Sequence, residues 1–373
     1  MMSTNGHMSI LNAGWTLGND CPYRCRHCYS IMVRTKGRNL HINDANRIIM
    51  QLTDYGISVV NLGGNEPLFT NGLNPRDSLL PYILRELHSR QVTIGVTTAG
   101  ITANYLFENE PEAFRVINDI DVSLDSPFPE EHEVNRGAPL FGQGLKALGA
   151  CQDVGIPHSI VMCGMNWNLS IRHLDGLINL AKNTGSYFRI NFLRPTQLEH
   201  LSTMPTSEQF RMAVSYLASR CRIVEVGEPI AQVLLSHKVS SCPCGVNSLR
   251  IHSITPDGRV PVSPCVFLHD YRVGDLLTED LSAILASAQF EDFRQRHLDF
   301  GRIEGCGGCG YLSSCKGGCA ARAYLAEQPA TIWRRDPYCN GPQVFADALV
   351  GTDNLDEDSL VHRGYLCTLI FAP

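Results

Sequence analysis

Between residues 8 and 220 the apolar positions follow two alternating patterns. Short strand-like runs occur at Ser9–Leu17, Ser58–Leu62, Val92–Thr97, Ile120–Leu124, Ser159–Met162 and Phe188–Leu193. Between them lie stretches with apolar residues at helical spacing. In Asn43–Tyr55 these are Ala45, Ile48, Ile49, Leu52 and Tyr55. In Ser170–Lys182 they are Ile171, Leu174, Leu177, Ile178 and Ala181. A third segment, Phe141–Val154, is stopped by Gly155 and Pro157. Six strand–helix units in series predict a parallel sheet with right-handed crossovers. Six are too few for a closed eight-fold barrel and enough for an open, partial (β/α)6 barrel. In such sheets the ligand site lies at the C-terminal ends of the strands.

After about residue 225 the pattern breaks up. Cys, Gly and Pro become dense and periodic segments become short. Val260–Pro264 reads as a short strand after the turn Pro256-Asp257-Gly258, Leu281–Arg296 as one helix, and Gly305–Gly318 as loop. So little apolar periodicity calls for staples, and bound metal supplies them. The acidic run Asp353, Asp356, Glu357, Asp358 reads as a solvated face. The expected organisation is a barrel domain over 1–225, a Cys-rich domain over 226–345 and a tail over 346–373.

Composition narrows the function classes. Apolar residues make up 44% and charged residues 18% of 373, which excludes a disordered chain. The net charge of −6 argues against a nucleic-acid partner. No apolar run reaches the ~20 residues of a membrane span, and Met1–Ile10 shows no secretory pattern. A cytoplasmic location is expected. The 15 cysteines then suggest metal or redox chemistry rather than disulfides.

The first cluster is Cys21-Pro-Tyr-Arg-Cys25-Arg-His-Cys28, a C-x3-C-x2-C spacing just after the first strand. Thiolates in a tight loop suit an iron–sulfur cluster or zinc. Three thiolates would leave one iron of a cubane open for a substrate or cosubstrate. With Tyr29 behind it, this loop resembles the signature of radical S-adenosylmethionine enzymes. Gly63-Gly64-Asn65-Glu66-Pro67 after the second strand resembles that family's GGxEP motif. Ser123, Asp125, Arg136 and Asn166 resemble further positions near the cosubstrate. The resemblance spans about residues 9–220. It implies reductive cleavage of S-adenosylmethionine to a 5′-deoxyadenosyl radical, which takes a hydrogen atom from substrate.

The second array is Cys242-x-Cys244, Cys265, Cys306-x2-Cys309-x5-Cys315-x3-Cys319 and Cys339. It resembles the SPASM domain, which holds two auxiliary [4Fe-4S] clusters. The resemblance implies Cys244, Cys265 and Cys319 on an inner cluster, with Cys242 as fourth ligand. Cys306, Cys309, Cys315 and Cys339 fall to an outer one. With the N-terminal cluster that makes three. Cys242 sits closer to Cys244 than the family spacing, so an open iron or Cys221 is the alternative. A pair of zinc sites is the alternative for the whole array. In sulfatase-maturing relatives an acid follows the second inner-cluster cysteine. Here that position is Val266, with His269 and Asp270 as nearby substitutes.

Cys163, ending the fifth strand, is a candidate hydrogen-atom donor or a small buried hydrophobe. Cys151 reads as core, and Cys367, in the tail, carries no signal. Arg189, Asn191 and Arg194 alternate on the sixth strand and are candidates to hold a substrate carboxylate or hydroxyl. Two substrate classes follow. One is a ribosomally made peptide, oxidised or crosslinked. With no room expected before the first strand for a fused recognition domain, a separate recognition protein would supply leader binding, or none is needed. The other is a sugar, cyclitol or aminoglycoside acted on by a dehydrogenase, epimerase or dehydratase. The family resemblance also implies an electron donor such as flavodoxin or ferredoxin.

Overall fold

The computed structural model describes residues 10–235, 242–340, 360 and 364–373. The acidic run Asp353 to Asp358 lies outside the described residues. Six strands follow the expected segments: β1 (Asn12–Thr16), β2 (Val59–Gly63), β3 (Thr93–Thr98), β4 (Asp119–Ser123), β5 (His158–Gly164) and β6 (Tyr187–Phe192). They pair in sequence order, all parallel. Helices Ile42–Tyr55, Leu80–Ser89, Ile101–Asn109, Phe141–Val154 and Ile171–Asn183 connect them. All but Ile101–Asn109, which buries Thr102, Ala103, Asn104 and Leu106, turn an apolar stripe onto the sheet. Ala45, Ile48, Ile49 and Leu52 are buried on the first, and Leu174, Leu177, Ile178 and Ala181 on the last. Ile171, at the entry of the last helix, is 52% exposed and falls outside its stripe. Gly56 closes the first helix with φ +96°, a left-handed cap that suits glycine.

The sheet is larger than six strands. Its order is β7-β10-β6-β5-β4-β3-β2-β1-β8-β9, where β7 is Arg222–Val226, β8 Ser248–Ile251, β9 Val262–Ser263 and β10 Leu369–Ala372. β8 runs parallel to β1, and β9 antiparallel to β8. The Cys-rich segment is therefore stitched to the β1 edge. The expected strand at Val260–Pro264 is two residues long. At the other edge β10, from the segment read as a tail, lies antiparallel between β6 and β7. Leu369, Ile370 and Phe371 are fully buried there. Three apolar residues are too few to announce a strand on their own.

The single helix expected over Leu281–Arg296 is two, Leu281–Leu285 and Ala288–Leu298, broken at Ser287 with ψ 155°. The reason is a phase slip. Leu281, Ile284 and Leu285 make one stripe, and Phe290 and Phe293 make another five residues on. A straight helix cannot bury both stripes on one face. Gly305–Gly318 is loop as expected, apart from the one-turn helix Leu312–Cys315.

Candidate active site and cluster sites

A cavity opens at the C-terminal ends of the strands, where parallel sheets place their sites. The cysteine loop after β1 forms one side, with Cys21, Cys25 and Cys28 all on the lining. Arg34 holds this loop. Its Nη2 donates to Cys28 Sγ at 3.0 Å, its Nη1 to Tyr23 O at 2.8 Å and its Nε to Asn65 Oδ1 at 2.8 Å. Arg34 thus ties the cysteine loop to the glycine loop after β2. Sequence reasoning missed it, because an arginine six residues past a cysteine has no signature.

The glycine loop fits closely. Gly64 has φ +91°, and a Cβ there would stand 2.2 Å from Thr16 Oγ1. Only glycine fits, so the backbone of Gly63 and Gly64 faces the cavity bare. Asn65 accepts from Ser30 Oγ at 2.7 Å. Glu66 lines the cavity, yet its oxygens accept from the Ala99 and Thr102 amides at 2.9 and 3.1 Å and from the hydroxyls of Thr98 and Thr102. Its carboxylate braces the turn into helix Ile101–Asn109, where a negative charge suits the helix N-terminus. Pro67 ends this loop away from the lining.

Ser123 and Arg136 line the cavity, and Tyr29 stacks edge-on against Phe267 at 5.3 Å. Asp125 does not reach the cavity. It is fully buried, paired with Arg136 Nε at 2.7 Å, and it accepts from Asn135 and the Cys163 amide at 2.9 and 3.1 Å. Burial opposes its charge, but Arg136 and the nearby histidines hold its carboxyl well below the usual range. Asp125 therefore sets Arg136 in place. Asn166 is exposed and donates to Ser202 O at 2.9 Å. Asn168 does the inward work instead, donating to the carbonyls of Asp125 and Cys163 at 2.8 and 2.9 Å.

Of the sixth-strand candidates, the two arginines are already engaged. Arg189 is buried and ion-paired to Asp121 at 2.5 Å, and its Nε donates to Thr368 Oγ1 at 3.1 Å. Arg194 is buried on Glu228 at 3.0 Å. Both contribute to the cavity wall, but moving Arg189 to a substrate would break a buried ion pair, and moving Arg194 would take one of Glu228's two arginines. Asn191 remains. It lines the cavity, and its Oδ1 has no partner among the described residues. Cys163 also faces the cavity, and burial pushes its thiol pKa up, so it keeps its proton. Val266 and Phe267 make an apolar wall. His269 and Asp270 lie off the lining, and Asp270 accepts from Tyr324 Oη at 2.6 Å.

Behind that wall is a small pocket lined by five cysteines: Cys242, Cys244, Cys265, Cys319 and Cys367. Arg194 and Phe267 border both this pocket and the main cavity. Arg194 Nε donates to Cys319 Sγ at 3.3 Å. A hydrogen bond from Cys367, with Arg194 and Arg322, lowers Cys319 to about 6 against its burial. Cys151 is in the apolar core, as expected. Cys221 is elsewhere, at the end of helix Ser207–Arg220 beside Lys182 and Asp175. It cannot serve this pocket. Cys367, read as silent, does line it, because β10 brings it there.

The outer set, Cys306, Cys309, Cys315 and Cys339, gathers around the loop ahead of Cys319. Burial pushes Cys306 up to about 11, and Cys315 and Cys339 raise it further. Lys316, Gly317 and Gly318 all have positive φ, between 47° and 79°. That run turns the chain sharply, so Cys315 faces one set and Cys319 the other. A Cβ on Gly318 would meet Asp336 Cβ at 2.3 Å. Arg296 fastens the turn from beneath, donating to the carbonyls of Gly317 and Gly318 at 3.1 and 3.0 Å. Asp336 accepts from the Cys319 amide at 2.7 Å, and Arg322 bridges Asp336 to Glu228.

The three sets fit iron–sulfur ligation by their donors. Each converges soft thiols on one place, and Cys21, Cys25 and Cys306 lie too high in pKa to ionise unaided. Metal binding releases such protons.

Comparison with known proteins agrees. Residues 15–175 match the radical SAM superfamily, and residues 242–310 match the SPASM iron–sulfur cluster-binding domain. Mycofactocin maturase MftC of Mycobacterium tuberculosis is 24% identical over 87% of this chain and 81% of its own. That of Mycobacterium ulcerans is 26% identical over 87% and 86%. Among solved structures, Streptococcus suis SuiB bound to precursor peptide SuiA superposes with a TM-score of 0.63 at 15% identity, over 89% of this chain and 76% of that one. The structure of anSMEcpe with bound AdoMet gives 0.60 at 15%, over 90% and 95%. These two establish likeness of fold. With both family models matched in order along one chain, the protein belongs to the radical SAM superfamily and carries a SPASM iron–sulfur domain.

Proposed function

We propose that this chain is an oxidoreductase-type radical enzyme that modifies a ribosomally made peptide by oxidation or crosslinking. One observation carries the reading. The cavity has the open three-cysteine loop on one side and, on the other, a wall of Arg194 and Phe267 shared with the inner cysteine pocket. A substrate between them would lie next to both a radical source and an electron acceptor.

In this reading Cys21, Cys25 and Cys28 hold a [4Fe-4S] cluster with one iron left for S-adenosylmethionine. The inner and outer sets hold two more, three in all. Bound together, cluster and cosubstrate supply one-electron cleavage of the sulfonium and hydrogen-atom abstraction. The chain orients and shields. Gly63, Gly64 and Asn65 present backbone to the cosubstrate, and Tyr29 packs beside it. Ser123 and Arg136 offer a hydroxyl and a guanidinium. Val266, Phe267 and Leu193 keep water out. Cys163, as a protonated thiol, lines the same cavity; returning its hydrogen atom would quench the substrate radical and belongs to an epimerase, not to the oxidation proposed.

Two points support a peptide over a sugar. The relatives include proteins named as mycofactocin maturases, and one fold neighbour is bound to a precursor peptide. The two arginines that could hold a polyol from the sixth strand, Arg189 and Arg194, are also already paired with Asp121 and Glu228. A sugar presents hydroxyls on every side, and each buried one needs a partner. An aliphatic or aromatic side chain of a peptide needs far fewer. A flavodoxin or ferredoxin would supply the electron, and a separate protein the peptide recognition.

The test follows the abstracted hydrogen. Cells of the source organism are grown in deuterated medium, and their extract is split into peptide and small-metabolite fractions. Each is incubated with reduced enzyme and unlabelled S-adenosylmethionine. Deuterium in 5′-deoxyadenosine from the peptide fraction alone is the expected result. Deuterium from small metabolites alone overturns it.

A further inference from the structure

Cys367 precedes β10 by two residues, outside the stretch matched by the SPASM domain. Its sulfur is 2.7 Å from Cys242 Sγ, and the sulfurs of Cys242, Cys244 and Cys367 all lie within 4.8 Å of one another. Five thiols thus surround one small pocket. A [4Fe-4S] cluster takes four. Thiolates on neighbouring irons point away from the cube and stand well apart. Two sulfurs as close as Cys242 and Cys367 therefore compete for a single corner.

We propose that Cys367, and not Cys242, is the fourth thiolate of the inner cluster, beside Cys244, Cys265 and Cys319. The inference rests on the cluster reading of this pocket. Two observations favour Cys367. Its backbone is anchored by the sheet. Cys367 O accepts from Arg194 Nη2 at 2.7 Å, Thr368 O accepts from the Gly227 amide at 2.8 Å, and Thr368 Oγ1 donates to Ile190 O at 3.2 Å. Arg194 also binds Cys319 Sγ, so one guanidinium spans two ligand positions and offsets their charge. Cys242, by contrast, is joined to Cys244 through Pro243 alone, whose ring fixes its own φ and leaves the pair little freedom to reach separate corners. The consequence is structural. Loading the inner cluster ties the last strand of the sheet to the Cys-rich region.

The experiment uses the full chain with Cys21, Cys25 and Cys28 all changed to alanine, which isolates the auxiliary sites. This background is expected to hold about eight irons, two cubanes' worth. Adding Cys367→Ala should lower that to about four, or convert the inner cluster's EPR and Mössbauer signals to those of a three-thiolate cluster. Cys367→Ser, which keeps the size of the side chain, should shift the same signals, with circular dichroism checking that the sheet survives. Cys242→Ala should leave iron and spectra as in the background. The opposite pattern, or no change in either variant, overturns the assignment. A background holding zinc or no metal instead sinks the cluster reading and the assignment with it.

Discussion

The sheet half, residues 10–235, supplies most of one continuous apolar core of Val, Ile, Leu and Phe, which Leu249, Ile251, Val262, Leu281 and Phe290 carry on into the Cys-rich half, residues 242–340. The Cys-rich half adds a smaller cluster in which Cys242, Cys244, Cys265 and Cys319 pack with Leu268, Phe293 and Ile332. It is also joined to the sheet half by buried charge. Arg322, Asp336, Glu228 and Arg194 are all at most 2% exposed and form one network. Apolar burial is non-directional and tolerant, whereas a buried ionic network holds only while every member is matched. The comparison predicts that the second half depends more heavily on its metal and on single polar side chains than the first does.

Removing iron with a chelator should have the largest effect. Hydrogen exchange should show amide protection collapsing across residues 242–340 while β2 to β5 stay protected. Equal loss in both halves would break the comparison. Next in size is Asp336→Ala, which removes one of Arg322's two carboxylate partners and leaves the Cys319 amide without its acceptor. Removing one member of a buried pair costs about 3–5 kcal/mol, measurable by urea denaturation. A core truncation in the first half, Leu177→Ala, should cost about 2–5 kcal/mol and leave iron content unchanged, which Asp336→Ala should not.

Acid sharpens the picture. Burial lowers His132 in the first half and His297 in the second to about 4 each. Unfolded, each takes its proton near ~6.5. Between those values the unfolded state binds more protons, so stability falls as pH drops from about 6.5 to 4. Denaturation midpoints read across that range should decline in both halves. Asp125 is shifted in the same direction but acts at lower pH: its depressed carboxyl keeps its contribution until pH falls below about 4, its unfolded value. The smallest effect on folding is expected for Asn191→Ala. Its Oδ1 has no partner among the described residues, so stability should move by under ~0.5 kcal/mol, while kcat/KM falls about tenfold, the loss of one hydrogen bond of roughly 1.4 kcal/mol. An unchanged kcat/KM would remove Asn191 from the substrate site.

What could be read from the chain was what is local. Strand and helix periods located β1 to β6 within two residues, apart from the start of β1, read three residues early, since each period reports burial of one face by near neighbours. Cysteine spacing located the first loop and the outer set for the same reason, because their ligands are close in sequence. Three things needed the fold. Arg189 and Arg194 looked like substrate cations until Asp121 and Glu228, 68 and 34 residues away, were seen to claim them. Arg34 and Asp125 are spent holding loops and another arginine in place, a role no motif announces. Cys367 meets Cys242 across 125 residues only because three apolar residues, Leu369 to Phe371, slot between β6 and β7. The sequence thus determined the elements and the kind of metal chemistry, through periodicity and short spacing. Tertiary structure alone decided which charges were already neutralised and which thiols shared a pocket, because those depend on contacts whose partners lie far apart in the chain.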